Sequence, residues 1–161
     1  MNTRDFAIGW LDSGTVKRAT DDDWRIDACP HHGGGVAAGD DGALHVVWFT
    51  QGQARQGLFY RQVRGAGMTS PMALGNPSAQ AGHPAVAAAG KTVLIAWREF
   101  DGTAYGTWAM LSRDGGANWG TPQRVATSAD AADYPLPLIR SGQPKIVWST
   151  AREGVRVIGV D

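Results

Sequence analysis

His32, His83 and Tyr134 recur at intervals of 51 residues, in His32-Gly33, His83-Pro84 and Tyr134-Pro135. Groups that return at one interval come together if the chain folds as stacked copies of one unit. The run Arg98-Glu99-Phe100-Asp101 adds a guanidinium and a carboxylate. Such a set suits a hydroxylated, acidic ligand such as a sugar acid, because the arginine fork matches a carboxylate and the other groups hydrogen-bond hydroxyls. The candidate ligand-binding residues are therefore His32, His83, Arg98, Glu99 and Tyr134. Plainer readings stand beside this one. The two histidines and the tyrosine can cap strand ends, Arg98-Glu99 can be a solvated surface pair, and His45 a satisfied histidine inside a strand. Clustered imidazoles raise zinc, but the repeat accounts for their positions without it, so no metal and no cofactor is expected.

Positioning these groups requires a repeated unit, and a second marker gives the same period. Phe6-Ala7-Ile8-Gly9-Trp10, Leu44-His45-Val46-Val47-Trp48, Val93-Leu94-Ile95-Ala96-Trp97 and Lys145-Ile146-Val147-Trp148 all end in tryptophan. The last three tryptophans lie 49 and 51 residues apart. That spacing fits a four-stranded propeller blade of roughly 40–50 residues. Strands are predicted over 35–39, 44–50, 57–63 and 72–74 in one unit, and over 84–89, 93–99, 105–112 and 123–126 in the next. Asp40-Asp41-Gly42 and Gly90-Lys91 mark the tight turns, where glycine supplies positive φ. The first unit is incomplete, opening on a second strand over 6–11, then 16–19 and 24–26. The last has three strands, over 136–140, 145–150 and 155–160. The expected fold is all-β, with about three to three and a half blades of four antiparallel strands: a partial blade 1–30, blades 31–75 and 80–127, and a partial blade 133–161. Blade topology then brings His32, His83, Tyr134, Arg98 and Glu99 to one mouth.

Between the third and fourth strands of the third unit stands Ser112-Arg113-Asp114-Gly115-Gly116-Ala117-Asn118-Trp119. Serine and aspartate side chains bond turn amides, Gly116 permits a left-handed backbone, and Trp119 can plug the base of the hairpin. Ser112, Asp114, Gly116 and Trp119 fill all four defined positions of the Asp box, or BNR repeat, and over residues 24–161 the chain resembles the sialidase-like (exo-α-sialidase-type) propellers. In the previous unit the aligned positions are Arg61, Val63, Gly65 and Met68, and only the glycine survives. The resemblance implies that the box is structural and lies on the end opposite the ligand pocket. It also implies a family mechanism using three arginines, an acid/base aspartate and a tyrosine nucleophile activated by a glutamate. None of those roles transfers by position, and the family's Arg-Ile-Pro motif is absent, so the catalytic residues are unknown. Tyr134 or Tyr105 with Glu99, and Arg98, Arg61 or Arg140, remain the only residues to consider.

Fifteen lysines and arginines balance fifteen aspartates and glutamates, which gives no field favouring nucleic acid or an anionic membrane. No stretch approaches the roughly 18 apolar residues of a membrane-spanning helix. The opening residues lack a signal-peptide pattern, although relatives of this type are commonly secreted or periplasmic, and the compartment stays open. The single cysteine, Cys29, is expected as a buried small thiol. An open stack of blades leaves its end sheets bare, so either self-association as a homodimer or a longer propeller is expected. The leading expectation is a glycan-binding or assembly module. The alternatives are a sialidase-type glycoside hydrolase completed by a second chain or further sequence, and a protein–protein interaction scaffold.

Overall fold

The computed structural model describes residues 2–132 and 134–161; Asp133, which the predicted boundary of the last unit includes, lies outside them. The chain is all-β, built from several small antiparallel sheets. At the N-terminus β1 (Asn2–Thr3) and β2 (Ala7–Gly9) pair with later segments, β3 (Val16–Arg18) and β4 (Arg25–Ile26). β2 pairs with β3 and β1 with β4. The Arg4 amide to Trp24 oxygen and Ala19 amide to Phe6 oxygen bonds, both 2.8 Å, join the two ladders into one interrupted hairpin. This differs from the expected row of three strands over 6–26. The segments 16–18 and 25–26 pair with the same neighbouring stretch instead of lying side by side. Trp10 sits at the hairpin tip, its amide bonded to the Thr15 oxygen, and is half-buried, unlike Trp48, Trp97 and Trp148.

The second sheet holds β5 (Gly34–Ala38), β6 (Leu44–Gln51), β7 (Gln56–Arg64), β8 (Gly67–Met68) and β9 (Met72–Leu74). They pair in chain order up to β7, whose outer edge takes both β8 and β9. A single 3-10 turn, Pro77–Ala79, leads to the third sheet. That sheet is a four-stranded meander of β10 (Gly82–Ala89), β11 (Thr92–Phe100), β12 (Tyr105–Ser112) and β13 (Gln123–Ser128). β14 (Leu136–Arg140), β15 (Gln143–Thr150) and β16 (Gly154–Gly159) form the last sheet, also in chain order.

The second strands of the second and third sheets, β6 and β11, are apolar on both faces because both faces are covered. Val46 and Trp48 point towards the N-terminal hairpin, where they meet Ala19, Phe6 and Ile8. Val47 and Phe49 point the other way and pack with Ile95 and Trp97 of β11. Leu94 and Ala96 on the opposite face of β11 meet Ile146 and Trp148 of β15. Three interlayer cores result, and each contains one fully buried tryptophan: Trp48, Trp97 or Trp148. Truncating a buried ring of this size to alanine costs about 3–5 kcal/mol. At the inner edge of the stack β10 packs between β5 and β14, so the first strands of successive sheets stand side by side.

The outer face of the last sheet has no such cover. Leu136, Val147 and Val157 are direct cross-strand partners. Leu136, Val155 and Val157 remain 57%, 69% and 63% exposed. Cys29 is an exposed free thiol, contrary to expectation, because it falls in the connection after β4 and not on a packed face.

Candidate functional site

The chain enters β5, β10 and β14 at one end of the molecule, and this brings His32, His83 and Tyr134 together. His83 and Tyr134 stack with ring centroids 3.9 Å apart and planes 15° apart. His32 meets His83 edge-on at 5.5 Å and stacks on Phe49 at 4.0 Å. The result is a continuous row of four rings crossing three sheets. The Tyr134 hydroxyl donates to the His31 carbonyl at 2.8 Å, tying the entrance of the last sheet to that of the second. His83 holds a left-handed φ of 55° where the β10–β11 register shifts between Gly82 and Ala85. A non-glycine residue held there by its surroundings is a form of strain that collects at functional positions. Gly82 cannot carry a side chain, since a Cβ would stand 2.8 Å from Nδ1 of His32.

Arg98 lies behind this row on β11, next to Gly82 in the ladder. Its Nη1 donates to the Ala132 carbonyl at 3.2 Å, and its guanidinium carbon stands 5.1 Å from the Tyr105 ring centroid. Its buried Nε has no hydrogen-bond partner among the described residues, and neither does Nδ1 of His32. Burial, then the Arg98 charge, then His31 hold the His32 imidazole below its ordinary pKa, favouring the neutral ring.

Glu99 is placed differently from the other four candidates. It is buried, and its Oε1 accepts the Trp97 indole N–H at 2.9 Å and the Asn76 amide at 2.8 Å. Strand alternation explains this, because residues two apart share a face, so Glu99 follows Trp97 into the core between the second and third sheets. Arg98-Glu99 is therefore not a solvated surface pair. Asp22 was not singled out by sequence reasoning, yet it does similar work: its Oδ2 accepts the Trp48 indole N–H at 2.6 Å, and Oδ1 pairs with Arg55. The acidic run Asp21-Asp22-Asp23 was visible in sequence, but which carboxylate turns inward was not.

A cleft of about 360 Å³ opens beside His32, between the β6–β7 end and the Pro77–Ala79 turn. Phe49, Leu58 and Ala81 form the apolar part of its lining, and Gln51, Gln56 and Gln80 the polar part. Sequence reasoning missed these glutamines, which carry no motif.

The segment from Ser112 to Trp119 spans the turn between β12 and β13. The Ser112 hydroxyl donates to Asp114 Oδ1 at 2.8 Å and accepts the Gly116 amide at 2.8 Å. Asp114 also accepts the Asn118 amide at 2.8 Å and its side-chain N–H at 2.7 Å. These bonds, led by those from Asn118, hold the Asp114 carboxyl down to about 2. The turn docks on the second sheet: Gln62 donates to the Gly115 carbonyl at 2.8 Å, and Trp119 meets Tyr60 edge-on at 4.8 Å. Burial pushes the Tyr60 phenol up to about 12, and its oxygen lies 2.8 Å from Nδ1 of buried His45. His45 is thus satisfied within the strand. A larger groove of about 460 Å³ runs beside this turn, but the Asp114 carboxylate on its wall is already bonded to Ser112 and Asn118. Among the described residues no group of three or more histidines, cysteines and acids is arranged to hold a metal ion. Comparison with family models, curated proteins and solved structures finds no match to the chain.

Proposed function

We propose that the chain is a sialidase-like β-propeller segment that binds a glycan bearing a sugar acid at the mouth formed by His32, His83, Arg98 and Tyr134. The observation that carries this reading is the continuous ring row built from three successive strand entrances, backed by an arginine with an unpartnered Nε. The propeller reading is supported by three successive antiparallel sheets whose first strands stand side by side, and by an Asp box in a hairpin between third and fourth strands. Binding is favoured over hydrolysis because the buried Glu99 carboxylate is already engaged by the Trp97 indole and the Asn76 amide. Titration with methyl α-sialoside, followed through the His32 and His83 ring signals, tests this. Arg98→Gln should weaken binding by roughly tenfold or more, as loss of a charge-assisted pair does. Unchanged affinity in that variant, or no binding by the parent protein, overturns the reading. Turnover of a fluorogenic sialoside that is lost in Arg98→Gln would instead make the chain a glycoside hydrolase.

A second reading, assembly with a second copy, is favoured by the bare apolar row Leu136–Val147–Val157 on the last sheet. The two faces of β6 and of β11, by contrast, are buried against neighbouring layers. Light scattering should find a dimer that Val157→Lys converts to monomer. A parent protein that stays monomeric at high concentration removes this reading.

A further inference from the structure

We propose that the cleft between Phe49 and the Pro77–Ala79 turn is a subsite for an uncharged, hydroxyl-rich sugar unit, next to the sugar-acid mouth. The proposal takes its ligand class from the glycan-binding reading and rests on it to that extent. Its own support is the chemistry of the lining. The cleft, at about 360 Å³, falls within the roughly 300–1,000 Å³ of small-molecule sites. None of its lining residues carries a formal charge except when His32 is protonated, and burial and Arg98 disfavour that. Gln51, Gln56 and Gln80 each offer a carbonyl oxygen and an N–H pair on one side chain. A sugar hydroxyl both donates and accepts, so amides suit it where a lone carboxylate or ammonium serves only half of its bonding. Among the described residues none of the three side-chain amides is hydrogen-bonded to a protein group. His32, stacked on the buried Phe49 ring, and the exposed Pro77 give the C–H face of a pyranose an apolar edge.

The cleft wall is held in place from below. Glu99 accepts the Asn76 amide, and the Asn76 side chain in turn accepts the Ser78 amide at 3.0 Å, fixing the turn that presents Gln80. Gln80 itself takes a left-handed conformation, φ 47° and ψ 43°. Glycine would adopt that geometry with less strain. A glutamine there gives up stability and lines the cleft with a side chain that can carry an amide to a ligand. His32 borders both the cleft and the ring row, so one oligosaccharide can place an acidic unit at the mouth and a neutral one in the cleft.

Gln80→Gly separates structure from binding, because it removes the amide and relieves the backbone. The full chain is titrated with uncharged methyl β-galactoside and, separately, with methyl α-sialoside, while glutamine side-chain N–H signals are followed by NMR. The galactoside is expected to move the Gln51, Gln56 and Gln80 amides. Gln80→Gly and Gln56→Ala should each weaken it by roughly tenfold, the scale of one lost hydrogen bond in a cleft, with the fold intact. Galactoside binding that survives Arg98→Gln while no sialoside binds keeps the cleft and removes the mouth reading. Sialoside binding at the ring row with no galactoside effect on these amides overturns the cleft, as does unchanged affinity in both glutamine variants.

Discussion

His45 and His32 are two imidazoles that burial holds below the ordinary value of 6.5. The sign of the linkage follows. Below 6.5 the unfolded chain takes up protons that the folded chain still refuses, so acidification favours unfolding until the folded values are reached. The contribution is intact above 6.5. Asp114, held at about 2 from 3.8, adds a separate loss that begins only below 3.8. The melting temperature should therefore fall between pH 7 and pH 5, and His45→Gln should flatten that part of the profile while leaving the steeper fall below pH 4. A melting temperature that rises towards pH 5 would contradict the assignment. At this scale the sequence was only partly legible. The 51-residue interval located His32, His83 and Tyr134 correctly beside one another. It could not show that Glu99 turns inward, because the neighbouring Trp97 indole decides that, or that Gln80 adopts a left-handed backbone.

Strand boundaries were far more legible than side-chain direction. β9, β12 and β14 match their predicted ranges, and β6, β7, β11 and β15 differ only by one or two residues at the ends. Long apolar runs between glycine turns leave little freedom about where a strand starts. The N-terminal hairpin was misread because Trp10 follows an apolar run as Trp48, Trp97 and Trp148 do, yet it stands at the hairpin tip and is only half-buried. The turn from Ser112 to Trp119 is an element whose shape depends on its neighbour. A Cβ on Gly116 would stand 2.5 Å from both the Gln62 amide nitrogen and the Tyr60 hydroxyl, at a φ of 83°. Gly116→Ala should therefore cost on the order of 2–4 kcal/mol, combining left-handed strain with overpacking. Urea unfolding measures it, and a change below about 1 kcal/mol would mean that the turn lifts freely off the second sheet.

The whole molecule is a row of layers in which Trp48, Trp97 and Trp148 are buried in the same sense. Trp48 faces the N-terminal hairpin, Trp97 the second sheet and Trp148 the third. Each therefore docks on chain that precedes it in sequence. A polypeptide leaving the ribosome from its N-terminus offers each of these three indoles a preceding layer that is already made. Assembly can proceed one layer at a time in the order of translation. Damage is correspondingly one-sided: loss of the last layer takes its own indole away with it, whereas loss of the first hairpin strips the cover from Trp48 and leaves that ring facing water.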